Sequence, residues 1–163
     1  MREEAKGKTG VPSERRQKPK RPRDELGRPR AWNAQNLLHL EDFDSLTLEE
    51  NHELARTHAR EGRFFPAHEA WETAWKQARG TSEAEFFKGL SQMGAGYVHL
   101  LRGNRHGTIT LLRRAASRVA RYPDGHRGIH THALRDKLEA DAARVDRGAL
   151  VPGADATFEP PDV

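Results

Sequence analysis

Glycine recurs at helical spacing inside one otherwise helix-prone segment, and that pattern limits how the chain can pack. Between Ser82 and Arg102, Gly89 and Gly96 fall on one face with Gln92 and His99, and Gly103 follows at the end. Each glycine in a helix interior costs on the order of 1 kcal/mol relative to alanine. It is tolerated where another backbone must come close. The opposite face carries Phe86, Leu90, Met93, Tyr97, Leu100 and Leu101. The segment therefore reads as a helix covered on both faces, with Gln92 and His99 inside the contact.

The flanking chain is helical too. Thr47 and Glu50 form a capping box that opens a helix ending at Gly62, and Ser82 with Glu85 predicts a second box opening the glycine-bearing helix. Between them, FFPAHEAWETAW predicts a helix from near Phe65 to before Gly80, with Pro66 tolerated in its first turn. Residues Arg105 to Arg121 bury Ile109, Leu111, Leu112, Ala115, Ala116 and Val119. After the breaker Tyr122 to Gly125, a last helix uses Leu134, Leu138 and Val145. The fold class is all-α: a single-domain bundle of about five helices. It occupies residues 47–148, preceded by an irregular strap over 31–46 and followed by a frayed C-terminal tail over 149–163.

Charge sets the first thirty residues apart. Residues 1–30 hold eleven Lys and Arg against five Asp and Glu, a net of +6, whereas residues 31–163 hold 17 against 19, a net of −2. With four of the nine prolines and almost no large apolar side chain, residues 1–30 are expected to form a disordered basic arm. Such an arm predicts at most weak, non-specific association with nucleic acid through phosphates. No cysteine is present, so disulfide frameworks and thiolate metal sites are excluded. No run of about 18 apolar residues offers a membrane span, and no apolar core follows the basic N-terminus as in a signal peptide. The expectation is a cytoplasmic protein without a membrane partner.

The chemistry concentrates in an HExxE motif. At 100° per residue, Phe64, His68, Trp71, Trp75 and Ala78 share one stripe, with Phe65 and Glu72 on its flank, so His68 sits among aromatics. Here Phe65, Trp71 and Trp75 form a candidate aromatic lining. His68 and Glu72 are one turn apart and can aim at one point. If the glycine face of the next helix packs there, Gln92 and His99 arrive beside them. Two readings follow. In the first, His68, Glu72, Gln92 and His99 form a buried hydrogen-bonded network that fixes helix packing, because a buried polar group left without a partner costs about 1–3 kcal/mol. In the second, His68, Glu72 and His99 bind a divalent metal such as Zn, Fe or Mn, with Glu69 as candidate general base of a metal-dependent hydrolase. The second histidine of the HExxH metalloprotease motif is replaced by Glu72. His126, His130 and His132 are read as surface residues, and His52 and His58 as solvated.

From Phe64 to Tyr122 the chain resembles a family of small helical bacterial and archaeal proteins catalogued as domain of unknown function 309. The resemblance is carried by FFPAHEAWETAW, by Gly89, Leu90 and Gln92, and by His99 followed by Arg102, Gly103, Asn104 and Gly107. The segment RPRDELGRPR is similar to the leader of actinobacterial members. Lys88 stands where a glutamine is usual, placing a charge beside the site, and His130 where an aspartate commonly follows Gly-Ile. The resemblance implies an α-helical fold, pairing as dimers, and His68, Glu69, Glu72, Gln92, His99 and Asn104 as the matching polar positions, with Trp75 as the matching aromatic. Together these observations favour a homodimeric interaction or scaffold module. A metal- or small-ligand-binding protein is the alternative, and non-specific nucleic-acid association through residues 1–30 a second one.

Overall fold

The computed structural model describes residues 19–163. Five helices follow one another, each packed on its neighbour in sequence: α1 (Leu48–Arg60), α2 (Phe64–Gln77), α3 (Ala84–Leu101), α4 (Arg105–Val119) and α5 (Thr131–Asp146). Among the described residues there is no β-strand, only an isolated bridge between Arg23 and Pro29. Among these residues no helix is long and apolar enough to cross a membrane.

The Thr47–Glu50 capping box forms as the sequence predicts, each side chain bonded to the other residue's backbone N–H. The Ser82–Glu85 box does not. Glu83 caps α3 without a side-chain bond, while the Ser82 carbonyl accepts from the Tyr122 hydroxyl and Glu85 receives Arg118. Arg118 has taken the carboxylate that local sequence assigned to the cap.

The glycine pattern on α3 has two causes. A Cβ at Gly89 would lie 2.9 Å from the Arg118 Cβ, and one at Gly96 2.7 Å from a Leu112 methyl, so this face receives α4. Gly94, on another side, receives α2: a Cβ there would lie 2.9 Å from the His68 Cα. Both neighbours thus approach α3 to backbone distance. Around it Phe64, Trp71, Phe86, Phe87, Leu90, Met93, Tyr97 and Leu100 are buried in one core. Of the apolar stripe of α2, Phe64, Trp71 and Ala78 are buried in this core.

The ends depart from expectation. For residues 1–18 the predicted disorder lies outside the described residues. Residues 19–30 form a docked turn: Asp24 Oδ1 accepts from the backbone of Leu26 and Arg28, and Arg102 donates to the Leu26 carbonyl. Gly27, at φ +78°, sits under the Phe65 ring, where a Cβ would be 2.3 Å from ring carbon. The C-terminal tail is not frayed. Phe158 stacks on Phe64 and Tyr97, Leu150 and Val163 are buried, and Arg60 donates to the Val163 carbonyl at 2.7 Å. A few large apolar side chains spaced along the tail are enough to hold it. The strap, in contrast, buries only Phe43 fully, and Trp32, Leu37 and Leu40 face solvent.

His52 and His58, expected to be solvated, are buried. Trp71 Nε1–H donates to His52 Nδ1 at 3.1 Å, so His52 Nε2 carries the proton and donates to the Arg127 carbonyl at 3.1 Å. Burial lowers the His52 pKa below its ordinary 6.5. Between 6.5 and that lower value only the unfolded chain binds the proton. The stabilisation is therefore complete above about pH 6.5 and declines as pH falls through the folded value. We expect the urea midpoint to drop between about pH 7 and 5, and the drop to shrink in His52→Gln. An equal drop in both proteins would assign the acid sensitivity elsewhere.

Candidate functional site

Close approach of α2 and α3 builds the site. Because Gly94 has no side chain, α3 comes near enough for the His68 ring to reach the backbone of Ser91. Nδ1 lies 2.8 Å from the Ser91 carbonyl oxygen and 3.0 Å from Ser91 Oγ, whose own hydroxyl donates to the His68 carbonyl at 3.3 Å. A carbonyl can only accept, so Nδ1 carries a hydrogen, and in the neutral ring Nε2 presents a lone pair.

That lone pair faces two carboxylates. Nε2 is 3.8 Å from Glu69 Oε1 and 3.7 Å from Glu72 Oε2, beyond hydrogen-bond length. Ligand atoms of the three residues all lie within 4.8 Å of one another. The side chains are neither buried nor fully wet: His68 is 24% exposed, and Glu69 and Glu72 each 33%. Lys76 lies 3.6 Å from Glu72 and is the charge nearest to it outside the trio.

His68 and Glu72 open onto a cleft of about 180 Å³ whose walls include Trp75, Lys88, Gln92, Ala95 and Leu111. The surface is mostly apolar. Lys88 stands 5.3 Å from the centre of the Trp75 ring, where a cation–π contact holds its charge to one side of the cleft. Gln92 Oε1 accepts from Arg118 at 3.1 Å, so Gln92 is a wall residue anchored to α4.

The sequence-predicted set therefore divides. His68, Glu69 and Glu72 come together, with Trp75 and Gln92 beside them. His99 does not join them as a ligand. Its Nδ1 accepts from Asn104 Nδ2 at 3.0 Å, while Asn104 Oδ1 takes the Gly107 N–H and caps α4. His99 and Asn104 thus belong to the α3–α4 junction. Burial first, then the nearby Arg102 guanidinium, lowers the His99 pKa below its usual value. The reason for the separation is the second glycine contact: the face carrying Gly89, Gln92 and Gly96 packs on α4, and Gly94 is what meets α2. Of the proposed aromatic lining only Trp75 reaches the cleft. Trp71 is buried against His52, and Phe65 covers Gly27. The buried four-residue network is replaced by three separate pairings, His68 with Ser91, Gln92 with Arg118, and His99 with Asn104.

Sequence reasoning missed Ser91 and Gly94, which hold His68 in place. Their i, i+3 spacing of small residues on α3 was the available signal for a second close helix contact.

Fold and site together define a small helical-bundle protein carrying a one-histidine, two-carboxylate cluster at the mouth of an apolar cleft. Residues 53–111, from within α1 to the middle of α4, match the family described as Domain of unknown function (DUF309). No curated protein and no solved structure matches the chain.

Proposed function

We propose that this protein is a divalent-metal-binding helical module whose ligands are His68, Glu69 and Glu72. One observation carries the reading: the Ser91 carbonyl holds a hydrogen on His68 Nδ1, which turns Nε2 toward two carboxylates lying too far away to hydrogen-bond it. Metal-bound histidines are commonly oriented by such a backbone acceptor on the other ring nitrogen. With metal–ligand bonds of about 2.0–2.2 Å, donors sharing an ion stand roughly 3–4 Å apart, close to the spacing here. One imidazole with two carboxylates suits Zn, Mn or Fe in the divalent state. Three protein ligands leave coordination positions for water or a small ligand.

With Glu69 among the ligands, the general-base role assigned to it on sequence grounds is taken up. The cleft walls supply Lys88 and Gln92 and no further carboxylate, which favours binding over hydrolysis.

Titration of metal-free protein with Mn²⁺ or Zn²⁺ tests this. At a hundredfold excess over Kd the bound ion should stabilise the fold by about 2.7 kcal/mol. His68→Ala and Glu72→Gln should lose the response, whereas His99→Ala should keep it. A melting temperature unmoved by metal, or moved equally in all four proteins, would overturn the proposal.

A further inference from the structure

The docked turn and the strap together make a second site, beside the N-terminus of α2. Residues 19–40 hold Lys20, Arg21, Arg23, Arg28 and Arg30 against Asp24 and Glu25, a net of +3. Only Arg28 takes a carboxylate, Asp24 at 2.7 Å. Arg21, Arg23 and Arg30 donate instead to the carbonyls of Arg30, Gly27 and Gln35. These bonds orient the guanidinium groups without neutralising them. Among the described residues no carboxylate is paired with Lys20, Arg21, Arg23 or Arg30.

An aromatic ring stands beside Arg21. Trp32 is 64% exposed, the largest apolar side chain on the surface, and the Arg21 guanidinium lies 5.8 Å from its ring centre. Next to it a cleft of about 450 Å³ is lined by Lys20, Arg21, Arg23, Asn36, Leu38 and Leu40. At Leu38 it meets a second cleft of about 370 Å³ that runs to Arg63 and Phe65.

We infer that this groove binds single-stranded nucleic acid, with phosphates along the cations and a base stacked on Trp32. Strand-binding surfaces combine a positive groove with exposed rings, and each stacked base contributes independently of sequence. The concave form favours a thread-like polyanion over a membrane. Leu38 and Leu40 line the groove walls. Duplex is disfavoured because its bases are not free to stack on a ring.

Fluorescence anisotropy of a labelled oligothymidylate of roughly twelve nucleotides, with the full chain, provides the test. Trp32→Ala should weaken binding by about fivefold or more, the lower end for loss of one stacked base, and Trp32→Phe should restore most of it. Lys20→Glu with Arg21→Glu should weaken binding and reduce the slope of log K against log salt by about 1.4, two phosphate contacts on a single strand. A duplex of equal length should bind more weakly and ignore Trp32→Ala. The inference is overturned if Trp32→Ala binds like the parent, if duplex is preferred, or if phosphatidylserine vesicles are bound and the oligonucleotide is not. Trp32 supports no core residue, so the variant folds, and circular dichroism verifies it. Neither outcome depends on metal.

Discussion

Trp71→Ala lowers the free energy of unfolding by about 3–5 kcal/mol, the range for emptying a large aromatic site in a core. Trp71 has no exposed surface and sits where α1, α2 and α3 meet, so the space cannot fill from solvent or collapse easily. A second loss adds to the cavity. His52 Nδ1 accepts from the indole N–H and stays buried without a donor once the ring is gone. Trp71→Phe separates the two, since it retains most of the volume and removes only the donor. Urea denaturation should place the phenylalanine variant well under half the alanine cost. Equal losses would show that the hydrogen bond, and not the volume, dominates at this position.

Asp141 gives the next largest effect. Its carboxylate is 2% exposed and accepts from the Tyr97 hydroxyl at 2.7 Å, with Lys137 at 3.0 Å and Arg144 at 3.4 Å. Burial foremost, then the Asp141 charge, push the Tyr97 pKa well above its ordinary value, so the phenol remains the donor. Asp141→Ala should cost about 2–3 kcal/mol. Breaking a wholly buried charge network costs more, but both cations here reach solvent and can rehydrate. Tyr97→Phe alone should cost only about 1 kcal/mol, because Lys137 and Arg144 still balance the carboxylate. Made together, the two changes should cost less than their sum, since each removes the other's missing partner. Strict additivity in a double-mutant cycle would rule out the tie between α3 and α5 as an energetic unit.

The five helices were legible because each carries its own period and punctuation. Thr47 with Glu50, Gly62, Gly103 and Gly148 mark ends through local backbone chemistry, and local chemistry survives folding. The Ser82 box failed for the opposite reason: Arg118, 33 residues away, offered the Glu85 carboxylate another partner. The burial of His52 was illegible in the same way. Nothing near it in sequence announces that an indole donor 19 residues on and a carbonyl 75 residues on would satisfy both ring nitrogens.

For the candidate site, the pairing of His68 with Glu72 followed from helical spacing, since residues four apart must lie on one side of a turn. Which residues of α3 would join them did not follow. Gly89, Gly94 and Gly96 all announce a close backbone, but a helix packed on two sides does not say in its sequence which neighbour takes which glycine. Tertiary packing gave Gly94 to α2 and Gly89 with Gly96 to α4. That choice delivered the Ser91 carbonyl to His68 and sent Gln92 and His99 elsewhere. Sequence by itself determined the helices, their order and the motif one of them carries, because these depend on neighbours along the chain. The protonation of His68 and the company it keeps depended on distances between helices, which only the packed structure sets.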